Sequence, residues 1–304
     1  MRPQIVCGID GSPAAFAAAA LAREIAWQLK LPLEVLHASC AGLEADRCAR
    51  ARTLQHGLEE AVGPDALLRV EIGHPERRLI EASRRARLLV IATRGARGVR
   101  RVLSGSVTST LTQAAASPVL VVPRRSLSDG AAHLGAGAVV CAVRDERDLA
   151  CAATAACWAR ELGRALLLAH VVPPRRLPAT AVGMPPPEVL ATSAARRACG
   201  RRMLDEIACT IAPIAPRTCG MRVLDGAVGR NLVRLADAEG AALIALGRPR
   251  SLAPASMRSP AMHLLRRAPC PVMVCPSPEA ALAPAFAPIP ELLAARRAPA
   301  PPEL

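Results

Sequence analysis

Aromatic side chains are nearly missing from this 304-residue chain: Phe16, Phe286, Trp27 and Trp158 are all it has, and tyrosine is absent. Proteins that track single-stranded nucleic acid stack bases on aromatic rings. That class is therefore disfavoured, despite a formal net charge of +14. Lysine is scarcer still. Lys30 is the only one, so no GKS or GKT exists and a P-loop is excluded. Schiff-base chemistry would rest on that one residue, in a helix-to-strand turn. No CxxC occurs among eleven scattered cysteines. Cys7 and Cys141 fall in apolar strands, where a reduced thiol is a small hydrophobe, and a reducing, cytoplasmic setting is expected. The spacings of His263, Cys270 and Cys275 are unlike those of structural zinc sites, so no metal is expected. The chain enters a strand at once, with no secretory signal. The apolar run Pro13–Ala22 ends at Arg23-Glu24, short of the ~20 residues a membrane span needs. No G-x-S-x-G elbow and no paired general acid and base at readable spacing are found, so no enzymatic activity is expected.

What is present is a regular alternation of short apolar runs with helical periods. Gln4–Ile9 reads as a buried strand ending in Asp10-Gly11-Ser12-Pro13. Ser12 suits an N-cap and Pro13 the first helical position. An alanine-rich helix to about Leu29, a strand at Leu33–His37, a polar helix over about Glu44–Ala61 and a strand at Leu67–Ile72 follow. Gly73-His74-Pro75 then turns the chain into a helix around Glu76–Arg85. Such alternation implies a parallel sheet covered on both faces.

The most informative stretch is Arg87–Pro123. Leu88–Ile91 is a wholly apolar strand, a loop with Gly95 and Gly98 follows, and Gly105-Ser106 opens a helix to about Ala116. Ser117-Pro118 stops that helix before the strand Val119–Val122. Glycines let backbone N–H groups approach a ligand, and the unpaired amides of a helix start favour an anion such as phosphate.

The chain also repeats itself. Cys7-Gly8-Ile9-Asp10 corresponds to Cys141-Ala142-Val143-Arg144, His37 to His170, and Pro118–Pro123 to Pro271–Pro276. The extra length of the second copy is mostly the proline-rich Pro173–Pro187. This divides the chain into a first domain at 1–124, a linker at 125–137, a second domain at 138–276, and a Pro/Ala-rich tail at 277–304 expected to be disordered.

The spacing of Ala92, Thr93-Arg94, Gly95, the nine residues Ala96–Ser104 and Gly105-Ser106 resembles the glycine motif of the universal stress protein family. The family has a glycine where Ala92 stands. The closing Ser-Pro-Val-Leu-Val-Val-Pro also resembles the end of such a domain. The resemblance implies two tandem Rossmann-like, adenine nucleotide alpha-hydrolase-like α/β domains, each a five-stranded parallel sheet with helices on both faces and strand order 3-2-1-4-5. It implies a site at the switch point of the sheet, with Ile9, Asp10 and Ala38 toward adenine and ribose. Ala92, Arg94, Gly95, Gly105, Ser106 and Val107 would then face ribose and phosphates. The ligand implied is ATP, with AMP, cyclic AMP or another adenine nucleotide left open, and magnesium accompanying ATP.

In the second copy Arg144 replaces the aspartate, Gly247 keeps the first glycine, Arg250 takes the place of the second, and Arg258-Ser259-Pro260 replaces Gly-Ser. That half reads as a structural partner, its PVMVCP strand pairing with PVLVVP in an intrachain pseudo-dimer. Asp10 and Ser106 also suit plain capping roles, and His37 and His170 suit packing. From Glu76 to Arg101 nine arginines face two glutamates. An anion funnel, a nucleic-acid or acidic-protein surface and a solvated face are all open readings of that stretch. The two functional readings are a nucleotide-binding stress-response protein with a protein partner, and a nucleotide-free scaffold acting through arginine-rich surfaces.

Overall fold

Each apolar run becomes a strand, and each helical period covers one face of the sheet. The computed structural model describes residues 3–39, 44–64, 66–93, 107–128, 130–174, 187–248 and 259–276. The first half comprises β1 (Gln4–Gly8), α1 (Pro13–Leu29), β2 (Leu33–Ser39), α2 (Glu44–Val62), β3 (Leu68–Ile72), α3 (Pro75–Ser83), β4 (Ala86–Ala92), α4 (Val107–Ala114) and β5 (Val119–Val122). After a short hairpin, β6 (Leu127–Ser128) and β7 (Ala131–Ala132), the second half repeats the plan. It comprises β8 (Val139–Ala142), α5 (Leu149–Glu161), β9 (Leu166–Val172), α6 (Pro187–Ile211), β10 (Cys219–Asp225), α7 (Val228–Ala238), β11 (Leu243–Gly247), α8 (Pro260–Arg267) and β12 (Val272–Cys275).

Within each half the order is 3-2-1-4-5, but the two sheets are one. Ten strands run β10-β9-β8-β11-β12-β5-β4-β1-β2-β3. Nine contiguous pairings are involved, and the β12–β5 pairing is antiparallel, matching Val272 to Val121, Met273 to Leu120 and Val274 to Val119. Period-2 alternation then sorts the junction onto two cores. Leu120 and Met273 join the core under α1, α2, α5 and α6, while Val119, Val121, Val272 and Val274 join the one under the remaining helices. A fully buried edge on each half would otherwise be a template for aggregation; here each edge covers the other.

The repeat is kept at the level of single hydrogen bonds. Ile9 N–H donates to the Leu36 carbonyl and Val143 N–H to that of Ala169, both at 2.9 Å. Gly73 (φ 139°) and Gly226 (φ 119°) take backbone conformations that disfavour a side chain. Their N–H groups close the same turn on Ser39 and Val172.

One expectation changes. Residues 125–137 are more than a connecting loop: Arg124–Ser126 is a 3-10 turn, and β6 and β7 pair Leu127 with Ala132. Ala132 is buried against the α1 core, and Gly137 N–H donates to the Gly240 carbonyl at 2.8 Å, so the segment is packed at both ends. Lys30, the sole lysine, caps α1 in left-handed backbone (φ 54°), its N–H reaching the Ala26 and Trp27 carbonyls. That is a helix-terminating role. The tail at 277–304 lies outside the described residues.

Met273 has no exposed surface and faces Leu120 across the junction. Truncation to alanine removes most of a buried side chain and leaves a cavity. Met273→Ala should lower the unfolding free energy by about 2–5 kcal/mol, read from urea denaturation of the full chain.

Candidate functional site

Three neighbouring strands of the first half end at one place. The register pairs Gly8 with Leu36 and Cys7 with Val90. Carried two residues further, it sets Asp10 beside Ala38 and Ile9 beside Ala92. These four expected site residues are therefore together at the carboxyl ends of β1, β2 and β4, where the winding direction reverses. Val107 opens α4 as described. Arg94, Gly95, Gly105 and Ser106 lie outside the described residues.

Local chemistry fixes the β1 end tightly. Asp10 Oδ1 accepts the Ser12 N–H at 3.0 Å, and Ser12 Oγ accepts the Ala15 N–H at 3.3 Å, with Pro13 next in the helix. Asp10 thus does hold a turn, as short acidic side chains do, and the same turn aims the N-terminus of α1. The buried His37 donates from Nδ1 to the Ile9 carbonyl at 2.9 Å, and His170 donates likewise to Val143 at 3.0 Å. Both histidines brace the carbonyl of the residue that directly follows the first strand of their half. Thr93, which the sequence reading passed over, ties β4 to β5: its N–H reaches the Val122 carbonyl at 3.0 Å, and its Oγ1 accepts the Arg124 N–H at 3.2 Å.

The equivalent crevice of the second half is occupied by protein. Arg144 crosses it and forms an ion pair with Asp148: Nε to Oδ2 at 3.0 Å, a terminal nitrogen to Oδ1 at 2.8 Å, and backbone N–H to Oδ2 at 2.8 Å. The same guanidinium reaches the Arg248 carbonyl at 3.3 Å. A β-carbon on Gly247 would lie 2.7 Å from Asp148 Oδ1 and 3.1 Å from Arg144. Glycine is retained there to admit an internal ion pair. Asp145, next in the chain, is a second carboxylate beside Arg144. That residue instead caps the 3-10 turn Glu146–Asp148, accepting the Arg147 N–H at 3.0 Å. The i, i+4 spacing of Arg144 and Asp148 was the available signal. Ser259 is an N-cap for α8, its Oγ accepting the Met262 N–H at 3.2 Å; Arg250 and Arg258 lie outside the described residues. Burial pushes the Cys7 thiol up to about 12, which keeps it protonated and unreactive.

The universal stress protein family model matches residues 1–123 and again 138–276. The chain belongs to the universal stress protein family. Universal stress proteins of two Mycobacterium tuberculosis strains, CDC 1551 and H37Rv, are each 32% identical over 137 residues, 41% of this chain and 46% of theirs. The match thus spans about half the length of these curated relatives. Among solved structures, a universal stress protein from Archaeoglobus fulgidus superposes with a TM-score of 0.60 at 16% identity. The superposition covers 90% of this chain and 96% of that one. A putative universal stress protein from Pseudomonas aeruginosa UCBPP-PA14 gives 0.54 at 15% identity, covering 95% of each. These likenesses establish the tandem fold. Among the described residues, no helix is long and apolar enough to cross a membrane.

Asp148 is almost fully buried, whereas the Arg144 guanidinium is partly in water. Removing the arginine strands a buried carboxylate that keeps only part of its hydrogen bonding. Arg144→Ala should cost about 2–3 kcal/mol, less than a fully desolvated pair, as measured by equilibrium unfolding.

Proposed function

We propose that this universal stress protein is a cytoplasmic, non-catalytic regulator whose first half binds ATP or a related adenine nucleotide. The observation that carries the reading is the contrast between two equivalent crevices. One brings Asp10, Ala38 and Ala92 to the strand ends and continues toward the glycine-bearing segment before α4. The other is closed by Arg144 and Asp148. Backbone amides and the Ser106 hydroxyl would serve the phosphates, with Arg94 adding a charge-assisted contact and magnesium accompanying ATP. Binding would alter the contacts of a protein partner, with any hydrolysis slow and incidental. The second half is the intrachain partner that covers the β5 edge.

One observation favours the alternative, a nucleotide-free scaffold. Ala92, paired with Val122 near the end of β4, carries a methyl where the family has glycine. If the ribose must approach there, that methyl costs ~1–3 kcal/mol of affinity.

Calorimetry with ATP, AMP and cyclic AMP, with and without magnesium, decides between them. A single site per chain is expected, abolished in Gly105→Arg and retained in Arg144→Ala. Absence of heat with all three nucleotides, together with a melting temperature indifferent to millimolar ATP, selects the scaffold.

A further inference from the structure

The second half is more than a filled copy. Beside its closed crevice lies an open pocket of about 640 Å³, within the size range of small-molecule sites. It is lined by the turn after β8 (Arg144–Arg147), by the end of β9 (His170, Val172 and Pro173) and by α6 (Arg196, Cys199, Gly200 and Met203).

The halves differ around this pocket. In the first half, Asp10 leads through Ser12 directly into α1, whereas the second inserts the 3-10 turn Glu146–Asp148 before α5. In the first half Leu54 of α2 is buried and reaches to 2.9 Å of where a Gly11 side chain would begin, against the β1 turn. In the second, Gly200 of α6 makes room for His170, whose Cδ2 lies 2.6 Å from where a β-carbon would stand, so that the ring fills that space and lines the pocket.

We propose that this pocket is a second ligand site, one that takes a compact organic anion with an apolar body rather than a nucleotide. The Arg144–Asp148 pair removes the crevice between β8 and β11 through which a phosphate chain would run. What remains is lined by the apolar Val172, Pro173 and Met203 together with the cationic Arg147 and Arg196. Arg196 gives one hydrogen bond to the Pro173 carbonyl, 3.0 Å, which steadies it at the rim. A guanidinium has five N–H donors, so a steadied arginine still offers a fork to a carboxylate or sulfonate. Of the two acids, Asp145 is engaged as the turn cap, and Glu146 is exposed. The chain's formal charge of +14 adds a favourable long-range field.

Fluorescence titration of the full chain with 8-anilinonaphthalene-1-sulfonate, an apolar monoanion, tests the site. One saturable equivalent is expected, unaffected by saturating ATP. The neutral analogue N-phenyl-1-naphthylamine should bind at least tenfold more weakly. Arg196→Gln and Met203→Trp, each checked for an unchanged urea midpoint, should raise the dissociation constant at least tenfold. A readout that needs no variant is hydrogen exchange: the sulfonate should slow exchange across Arg144–Arg147 and the Arg196–Met203 turns of α6. Unsaturable binding, equal affinity for the neutral analogue, displacement by ATP, or protection absent from those two segments would each overturn the proposal. ATP binding to the first half is read separately, by calorimetry, so neither result decides the other.

Discussion

The antiparallel contact of β5 with β12 is the constraint on which the rest of the molecule depends. Each half ends in a four-residue strand buried on both faces, VLVV and VMVC. A strand of that kind has no stable existence at a sheet edge, because its unpaired amides and apolar side chains face water together. Pairing the two edges satisfies both at once. Because the pairing is antiparallel, the parallel strands of one half run opposite to those of the other. The carboxyl ends of β1 and β4 therefore lie at one rim of the ten-stranded sheet, and those of β8 and β11 at the opposite rim. The two halves cannot share a ligand. Each was free to keep, fill or rebuild its own crevice.

That freedom shows in how differently the two crevices are built from one plan. Carboxylate and arginine have changed places in function as well as in sequence. In the first half Asp10 sits where β1 ends and organises a turn. In the second Arg144 sits there and draws its carboxylate from Asp148, four residues on. Asp148, almost fully buried at the start of α5, needs partners, because a lone buried charge is costly. Arg144 supplies them from its guanidinium and its backbone N–H. Gly247 then follows as a steric requirement of the pair. A glycine that looks like a remnant of a ligand motif is thereby accounted for by internal packing alone.

The strands, the internal repeat and the Ser12 cap were legible in local signals: apolar runs of strand length, a repeated Pro-Val-x-Val and a Ser-Pro helix start. The strand order within each half and the pairing of the two closing strands came from the family resemblance, because order and pairing are set by contacts between segments distant in the chain. What was not legible depends on side chains meeting across the repeat offset. The offset between equivalent positions is 133 at His37 and His170 but 153 at Gly73 and Gly226. The proline-rich insert before α6 hides the register of that helix. The hairpin at β6 and β7 was missed for a different reason. Two-residue strands carry no periodicity, and their stability comes from Ala132 packing under α1, which is a tertiary contact. Of the glycine-bearing segment, the described residues begin only at Val107.

Although the two rims are separated by the width of the sheet, helices span it. Val107 opens α4 on the first rim, and the segment just beyond α4 meets the second half: Arg248, immediately after β11, donates to the Ala115 carbonyl. The pseudo-symmetric contact runs the other way, from α8 of the second half to the Arg124–Ser126 turn that follows β5. Each rim is therefore touched by a helix whose other end belongs to the opposite rim. Arg248 also lends its carbonyl to Arg144, so the internal ion pair, the end of α4 and the closing of the second crevice form one connected group. An anion held at the start of α4, as proposed above, would act on a helix just beyond whose far end Ala115 is hydrogen-bonded to that group. Coupling between sites requires an element with two arrangements that both sites bias. In this fold, α4 and α8 are the elements placed to be it.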